Sequence, residues 1–422
     1  MDKLLVTGGR PLEGVVPVGG AKNSALKLMA ASLLADGRTV IENVPRIVDC
    51  ATMVEVLEHL GAIVRWDDGT VEIDTSTVAS QETPYELVSR MRASIIVLGP
   101  LLARYGRATV AMPGGCNIGS RKIDLHTRGL ERLGVRFEHE HGYLKASGEL
   151  RGAVVSLDFP SVGATENLMM AAVGATGTTV IENAAREPEI ADLADFLSEM
   201  GAKIGGAGTT TLEVEGVSGF SPARHRVIPD RVEAGTFAIA VSATQGEVVL
   251  RGARSDHLDL PLSKLAEAGA EVRDEPHGFR VRMEGRPMAV DFVTLPYPGF
   301  PTDLQPQMMA MLSSARGTSI ATENVFESRF MFVDELNRMG ADVRTEGHHA
   351  VIRGVERLSG APVRSLDIRA GAAMVIAALS ADGVTEIADV YHVDRGYQDL
   401  EGKLCALGAE IRREQERSPA YT

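Results

Sequence analysis

The chain has 422 residues, 44% hydrophobic and 24% charged, with a formal net charge of −14. That length provides for two or more domains with sizeable cores, and an acidic balance without a long basic run excludes nucleic acid and anionic membrane surfaces as partners. Three cysteines, Cys50, Cys116 and Cys405, include no CxxC pair. That argues against a disulfide framework or a zinc site and fits a reducing, cytoplasmic compartment. The opening residues lack the apolar stretch of a signal peptide, and no apolar run reaches a membrane span.

In chain order, strands are predicted at 3–7 and 14–18, with no helix of their own. Gly19-Gly20-Ala21-Lys22-Asn23-Ser24 then opens an apolar helix over 25–34. A glycine-rich entry to a helix N-terminus is a natural anion site, although no Walker A spacing aligns here. A glycine turn with a surface lysine is the plain alternative. From this point one unit repeats. An apolar helix, such as 25–34, 93–102 or 374–379, leads to a short strand, a polar loop and an amphipathic helix. Two more strands follow, joined by a turn such as Asp67-Asp68-Gly69.

The amphipathic helix ends at a glycine in every unit: Gly61, Gly134, Gly201, Gly269, Gly340 and Gly408, which are 73, 67, 68, 71 and 68 residues apart. A second series, Gly37, Gly106, Gly177, Gly246, Gly317 and Gly383, keeps step with the first and precedes each β-branched strand. A fixed period along a whole chain signals internal duplication. Helices apolar nearly all round belong inside, so the sheets belong outside. The fold class expected is α/β (α+β): two inside-out α/β barrel domains, each of three βαβαββ repeats of about 70 residues. The sixth unit ends without its hairpin partner, so the two N-terminal strands are expected to complete the second domain. The domains expected are 22–228, and 1–21 with 229–422; two crossings between them predict a hinged cleft holding the active site.

Polar residues gather at two places in each unit. At the entry of the apolar helix stand Lys22 and Asn23, Arg90 and Arg92, Ser161-Val162-Gly163, Asp230-Arg231, Thr302-Asp303, and Arg369. In the loop before the amphipathic helix stand Arg46, the Cys116 loop, Arg186-Glu187, Arg254, Glu327-Ser328-Arg329, and His392-Val393-Asp394-Arg395. A single arginine in such a loop is usually solvated or paired with a nearby acid. Recurrence at equivalent places points to one shared site. Cys116 lies in Pro113-Gly114-Gly115-Cys116-Asn117-Ile118-Gly119-Ser120-Arg121, where glycines permit close approach to a ligand and an arginine can tune a thiol. An inert cysteine in a turn is the alternative. His257, His348 and His349 read as ordinary surface residues, and no HExxH, CxxC or carboxylate cluster implies a metal.

These motifs resemble the UDP-N-acetylglucosamine 1-carboxyvinyltransferase family of enolpyruvyl transferases, essentially end to end. The resemblance rests on Gly20 to Ser24, Met91-Arg92-Ala93-Ser94, Pro113 to Gly119 with Arg121 and Asp124-Leu125-His126, and Ser161 to Thr165. It continues through Glu182 to Glu189, Pro229-Asp230-Arg231, Phe300 to Asp303, Phe326 to Met331, Asp367-Ile368-Arg369 and Asp394 to Tyr397. It implies transfer of the enolpyruvyl group of phosphoenolpyruvate to the 3′-hydroxyl of UDP-N-acetylglucosamine, with no cofactor, no metal and no obligate protein partner. By the same likeness Cys116 is the proton donor and the target of fosfomycin, and Asp303 is the base. Lys22, Arg121 and Arg395 hold the carboxylate and phosphate, with Asn23 beside them. Arg92, Lys122, Ile123, Asp124, Leu125, Ser161, Val162, Gly163 and Val325 line the UDP-sugar site. Arg329, Arg369, Glu187, Glu189, Asp230 and Arg231 stand behind these.

The chain departs from the family pattern at Phe159, where some members carry lysine, at Lys122, where some carry proline, and at Asn117, where threonine or alanine is usual. The alternatives are an enzyme acting on shikimate 3-phosphate, whose family lacks the Pro-Gly-Gly-Cys loop, and a non-catalytic UDP-sugar-binding paralogue. The repeat itself singles out the Cys116 loop. From pre-strand glycine to repeat glycine the distance is 24, 24, 23, 23 and 25 residues in five units, but 28 in the second. That insertion predicts a lid able to carry Cys116 and Arg121 onto bound substrate.

Overall fold

A computed structural model describes residues 2–112, 123–326 and 328–415, with Arg92 described in its backbone only. The described residues form two compact units. One runs from Gly20 to Ile228; the other joins the residues up to Gly19 to those from Pro229 onward. Gly20 and Ala21 go with the helix that follows them. The Ala21 amide donates to the Ile228 carbonyl at 2.7 Å, and a Cβ on Gly20 would lie 1.7 Å from the Asn43 carbonyl oxygen. In the other unit the Asp230 amide donates to the Gly19 carbonyl at 2.9 Å.

Among the described residues the strands make six four-stranded sheets, all in one order. A short edge strand pairs in parallel with the strand after the apolar helix. That strand pairs antiparallel with the second arm of the hairpin, which pairs with the first. The six repeat glycines close their helices with φ between +89° and +106°, a left-handed C-cap that a side chain would strain.

Two strands change places. Glu13–Pro17 leads into the helix Lys22–Ala31, yet it pairs with Glu247–Arg251 in the second unit. Arg224–Arg226 leads into the helix Arg231–Ala243, yet it pairs with Arg38–Glu42 in the first unit. The strand Asp2–Thr7 fills the missing hairpin place of the sixth repeat, antiparallel to both Val384–Ala388 and Glu410–Gln415. Both N-terminal strands thus enter the second unit, but in different sheets.

The helices Lys22–Ala31, Leu98–Tyr105 and Val162–Ala172 lie in the core of the first unit, and Arg231–Ala243, Gln305–Leu312 and Ile368–Ser380 in that of the second. Alanine and glycine make Ile368–Ser380 thin enough to be covered from all sides, and all but its last residue are buried. Each core is lined by inward residues of three sheets, such as Ile41, Val110 and Ile181 in the first unit. Burying every face of such a helix is worth about 1.5–3 kcal/mol per large apolar side chain. Its polar entry residues, by contrast, stand at the end of the barrel.

Candidate active site

The second unit gathers a compact polar network around Asp303, which sits in the 3₁₀ turn Thr302–Leu304 at the entry of the helix Gln305–Leu312. Arg329 Nη1 lies 3.0 Å from Asp303 Oδ1, and Arg369 Nη2 lies 3.1 Å from Oδ2. Both guanidinium groups are buried, while the carboxylate keeps about a quarter of its surface. Charge-assisted bonds to both oxygens fix its orientation. Burial works against the charge on Arg369, but Tyr397, Asp303 and Asp230 outweigh it and hold the pKa above its ordinary value. The guanidinium lies 5.3 Å from the centre of the Tyr397 ring. Tyr397 Oη in turn shares a hydrogen bond of 2.9 Å with Thr236 Oγ1 and accepts from Gln307 Nε2 at 3.2 Å. Burial raises the pKa of this phenol despite the nearby guanidinium.

Behind the network, Asp230 caps the helix Arg231–Ala243 by accepting from the amides of Val232 and Glu233 at 2.8 and 3.1 Å. Arg231 lies over the Tyr297 ring at 5.7 Å. Arg395 is half-buried at the end of the short helix Tyr391–Asp394, close enough to His392 to help burial lower the imidazole pKa. Val325 is held through its backbone, its amide donating to Glu323 Oε1 at 2.8 Å.

In the first unit, Lys22 is the first residue of its buried helix and forms an ion pair of 2.7 Å with Asp49, both side chains almost fully covered. Asn23 beside it is half-buried. Ser24 donates to Asp192, which is bonded at 2.9 Å to His225 Nε2, and Nδ1 of that ring lies 3.0 Å from Glu199. Burial opposes the charge on His225, yet its two carboxylate partners raise the pKa above the ordinary value. Glu187, at the N-cap of the helix Pro188–Glu199, and Glu189 in its first turn are both buried.

Two helix entries meet close by. Ile123 caps the helix Asp124–Arg132, which carries Asp124 and Leu125 in its first turn. Ser161 caps the helix that begins Val162-Gly163. His126 Nδ1 is bonded to Asn167 at 3.0 Å, and a Cβ on Gly163 would come 3.3 Å from the His126 ring. Gly163 is therefore what lets the two helices approach. Phe159 is a surface side chain, 39% exposed.

Cys116, Arg121, Lys122 and Glu327 lie outside the described residues, as does the side chain of Arg92. Within the units, the structure brings together Asp303, Arg329, Arg369 and the Val325 backbone, and separately Ile123 to Leu125 with Ser161 to Gly163. Arg254 spends its charge locally, on both oxygens of Asp256 at the surface. His257, expected at the surface, is buried instead, because the 3₁₀ turn Ser255–His257 folds it under the start of the helix Asp259–Glu267. Asp49 and Glu323 went unnoticed in the sequence. Asp49 stood only three residues past the conspicuous Arg46, and the Glu-Asn pair at 323 had precedents at 42 and 182. Among the described residues no group of three or more histidine, cysteine or acidic side chains could hold a metal. No helix there is long and apolar enough to cross a membrane.

The profile of the EPSP synthase (3-phosphoshikimate 1-carboxyvinyltransferase) family matches residues 6–404. A UDP-N-acetylglucosamine 1-carboxyvinyltransferase 2 from Carboxydothermus hydrogenoformans is 54% identical over 98% of this chain and 99% of its own length. The UDP-N-acetylglucosamine 1-carboxyvinyltransferase of Corynebacterium jeikeium is likewise 54% identical, with the same coverage. Among solved structures, the enolpyruvyl transferase NikO from Streptomyces tendae has a TM-score of 0.88 at 26% identity, covering 98% of both chains. An EPSP synthase from Acinetobacter baumannii has a TM-score of 0.75 at 17% identity over 98% of this chain and all of its own, which shows the shared fold. The chain belongs to the EPSP synthase family of carboxyvinyltransferases, on the side of the members named UDP-N-acetylglucosamine 1-carboxyvinyltransferase.

Proposed function

We propose that this transferase moves the enolpyruvyl group of phosphoenolpyruvate to the 3′-hydroxyl of UDP-N-acetylglucosamine and releases phosphate, the first committed step of peptidoglycan synthesis. The observation that carries it is identity of 54% with enzymes of that name over nearly the whole of both chains. Three cysteines without a CxxC pair suit a cytoplasmic location.

The chemistry is addition followed by elimination. Cys116 gives a proton to the vinyl carbon, the sugar oxygen bonds to the neighbouring cationic carbon, and Asp303 takes the hydroxyl proton. The Cys116 thiolate then takes a proton from the methyl carbon, which restores the double bond as the carbon–oxygen bond to phosphate breaks, and the departing phosphate takes up the proton held by Asp303. Asp303 suits its part because an arginine lies against each oxygen while about a quarter of the side chain stays exposed to meet the sugar hydroxyl. Arg329 and Arg369 hold the carboxylate in a single orientation, and the reaction gains from that preorganisation. Lys22, Arg121 and Arg395 neutralise the phosphate and carboxylate of phosphoenolpyruvate, with Asn23 beside them. Lys22 pairs with Asp49, so a bound anion competes with that buried carboxylate for the ammonium group. Arg92, Lys122, Ile123, Asp124, Leu125, Ser161, Val162, Gly163 and Val325 line the UDP-sugar. Glu187, Glu189, Asp230 and Arg231 support that lining.

Phosphate release from phosphoenolpyruvate is measured with UDP-N-acetylglucosamine and, separately, with shikimate 3-phosphate. Release with the first alone is expected; release only with the second, or with neither, defeats the proposal. Cys116→Ala is expected to abolish labelling by fosfomycin, and labelling that persists would move the acid to another residue.

A further inference from the structure

The strand ends of the repeats differ in one respect. Six residues past the pre-strand glycine, four repeats turn through a left-handed residue: Asn43, Asn183, Gly252 and Asp389, with φ of 61°, 54°, 84° and 60°. In two of them the side chain ties the turn to the parallel edge strand or the residue next to it. Asn43 Nδ2 donates to the Val227 carbonyl, and Asn183 Nδ2 to that of Leu157. The fifth repeat breaks the rule. Its strand, Thr318–Glu323, runs one residue further, and Glu323 occupies the turning position in extended conformation.

Glu323 is fully buried, and both carboxylate oxygens are used. Oε1 accepts from Thr294 Oγ1 at 2.8 Å and from the amides of Val325 and Phe326 at 2.8 and 2.9 Å. Oε2 accepts from the Thr302 hydroxyl at 2.9 Å. Thr302 Oγ1 in turn accepts from Arg329 Nη1 at 3.1 Å, and that same nitrogen lies 3.0 Å from Asp303. One buried carboxylate therefore joins the backbone around Val325 to the turn that carries Asp303. A buried anion is costly unless its hydrogen bonds are made, and four are made here.

We propose that Glu323 is a positioning residue that locks the Val325–Phe326 backbone and the Thr302–Asp303 turn into one frame, so that the sugar-lining backbone and the base keep a fixed relation. This rests on the functional reading above. Glu323→Gln keeps Oε1 as acceptor for both amides but presents an NH₂ to Thr302, whose hydroxyl then loses its acceptor. Thr302→Val breaks the same link from the other side. Glu323→Ala breaks both arms.

Glu323→Gln and Thr302→Val are expected to lower kcat about tenfold while KM for UDP-N-acetylglucosamine stays within about twofold; Glu323→Ala is expected to lower kcat and raise that KM about tenfold. Hydrogen exchange in the unliganded protein reads the lock without reference to turnover. Exchange at the Val325 and Phe326 amides should accelerate at least about tenfold in Glu323→Ala, and stay near wild type in Glu323→Gln. Wild-type kinetics in Glu323→Gln and Thr302→Val, or wild-type exchange in Glu323→Ala, overturns the proposal. So does a loss of kcat that vanishes once rates are normalised to folded protein. A wild-type enzyme that releases no phosphate defeats the functional reading instead, and the exchange experiment still decides on the lock.

Discussion

The two units solve the problem of buried charge in different ways. In the second, Asp303, Arg329, Arg369, Thr302 and Glu323 form a closed network in which every carboxylate oxygen has a partner. In the first, Glu166 is fully buried in the helix Val162–Ala172, and its nearest cation, Lys27 Nζ, is 3.4 Å away. Neither Glu166 oxygen has a hydrogen bond. Burial pushes its pKa up to about 8; Lys27 pulls it down, and Glu189 and Glu187 push it further up. A closed network fixes geometry, whereas an open one leaves a group that titrates near neutrality.

The sharpest break of the comparison is Asp303→Asn. With Asp303 as the proposed base, its loss from a fixed frame should lower kcat by about 10³-fold, within the usual range for general-base loss. Phosphate release measures it; a loss under tenfold would show that the closed network is structural.

Next is the pH dependence of stability. A carboxyl raised from its ordinary 4.5 to about 8 binds more protons folded than unfolded, so the folded state loses stability as pH rises between those values. The full effect is on the order of 5 kcal/mol. Glu166→Gln, which mimics the protonated acid, should be more stable than wild type by about 2 kcal/mol at pH 6 and should flatten the slope up to about pH 8. His225 adds a smaller loss in the same direction, since a raised imidazole pKa contributes stability below about 6.5 that fades as pH passes the folded value. Urea midpoints at pH 6 and 9 test this; an unchanged slope in Glu166→Gln would place the titration elsewhere.

Tyr397→Phe should cost about 1–2 kcal/mol, because it removes one buried hydroxyl from a network in which Gln307 keeps its bonds to Thr236 and the Asp303 carbonyl. Calorimetric melting checks it. Arg254→Ala removes an exposed pair with Asp256 and should change stability by under about 0.5 kcal/mol. A larger cost would mean that this arginine does more than hold its neighbour.

The repeat glycines, the buried helices and the place of the N-terminal strands were legible in the sequence because they follow from local period and composition. The Asp303 network was legible only in part. Asp303 and Arg369 are 66 positions apart and Thr294 and Glu323 are 29 apart, so nothing local marks them as partners. Glu323 looked like one more polar strand end. Its backbone, extended where four of its counterparts turn, distinguishes it. His257 misled because a short 3₁₀ turn carries no periodic signal to reveal which way it faces. The exchange of Glu13–Pro17 for Arg224–Arg226 follows from the same domain bounds, but the sheet that each edge strand joins does not, because so short a strand carries little pattern of its own.

That exchange has a consequence for synthesis. The first unit is contiguous, and its last strand emerges at Arg226, so it can close while the ribosome is still working. The second cannot. Asp2–Thr7 finds its neighbours only at Val384–Ala388 and Glu410–Gln415. At the usual rate of about 5–20 residues per second, the first strand made waits roughly 20–80 s for the last. Throughout that interval the apolar Leu4-Leu5-Val6 segment must avoid the wrong edge, which makes the nascent chain, rather than the finished enzyme, the state most exposed to aggregation.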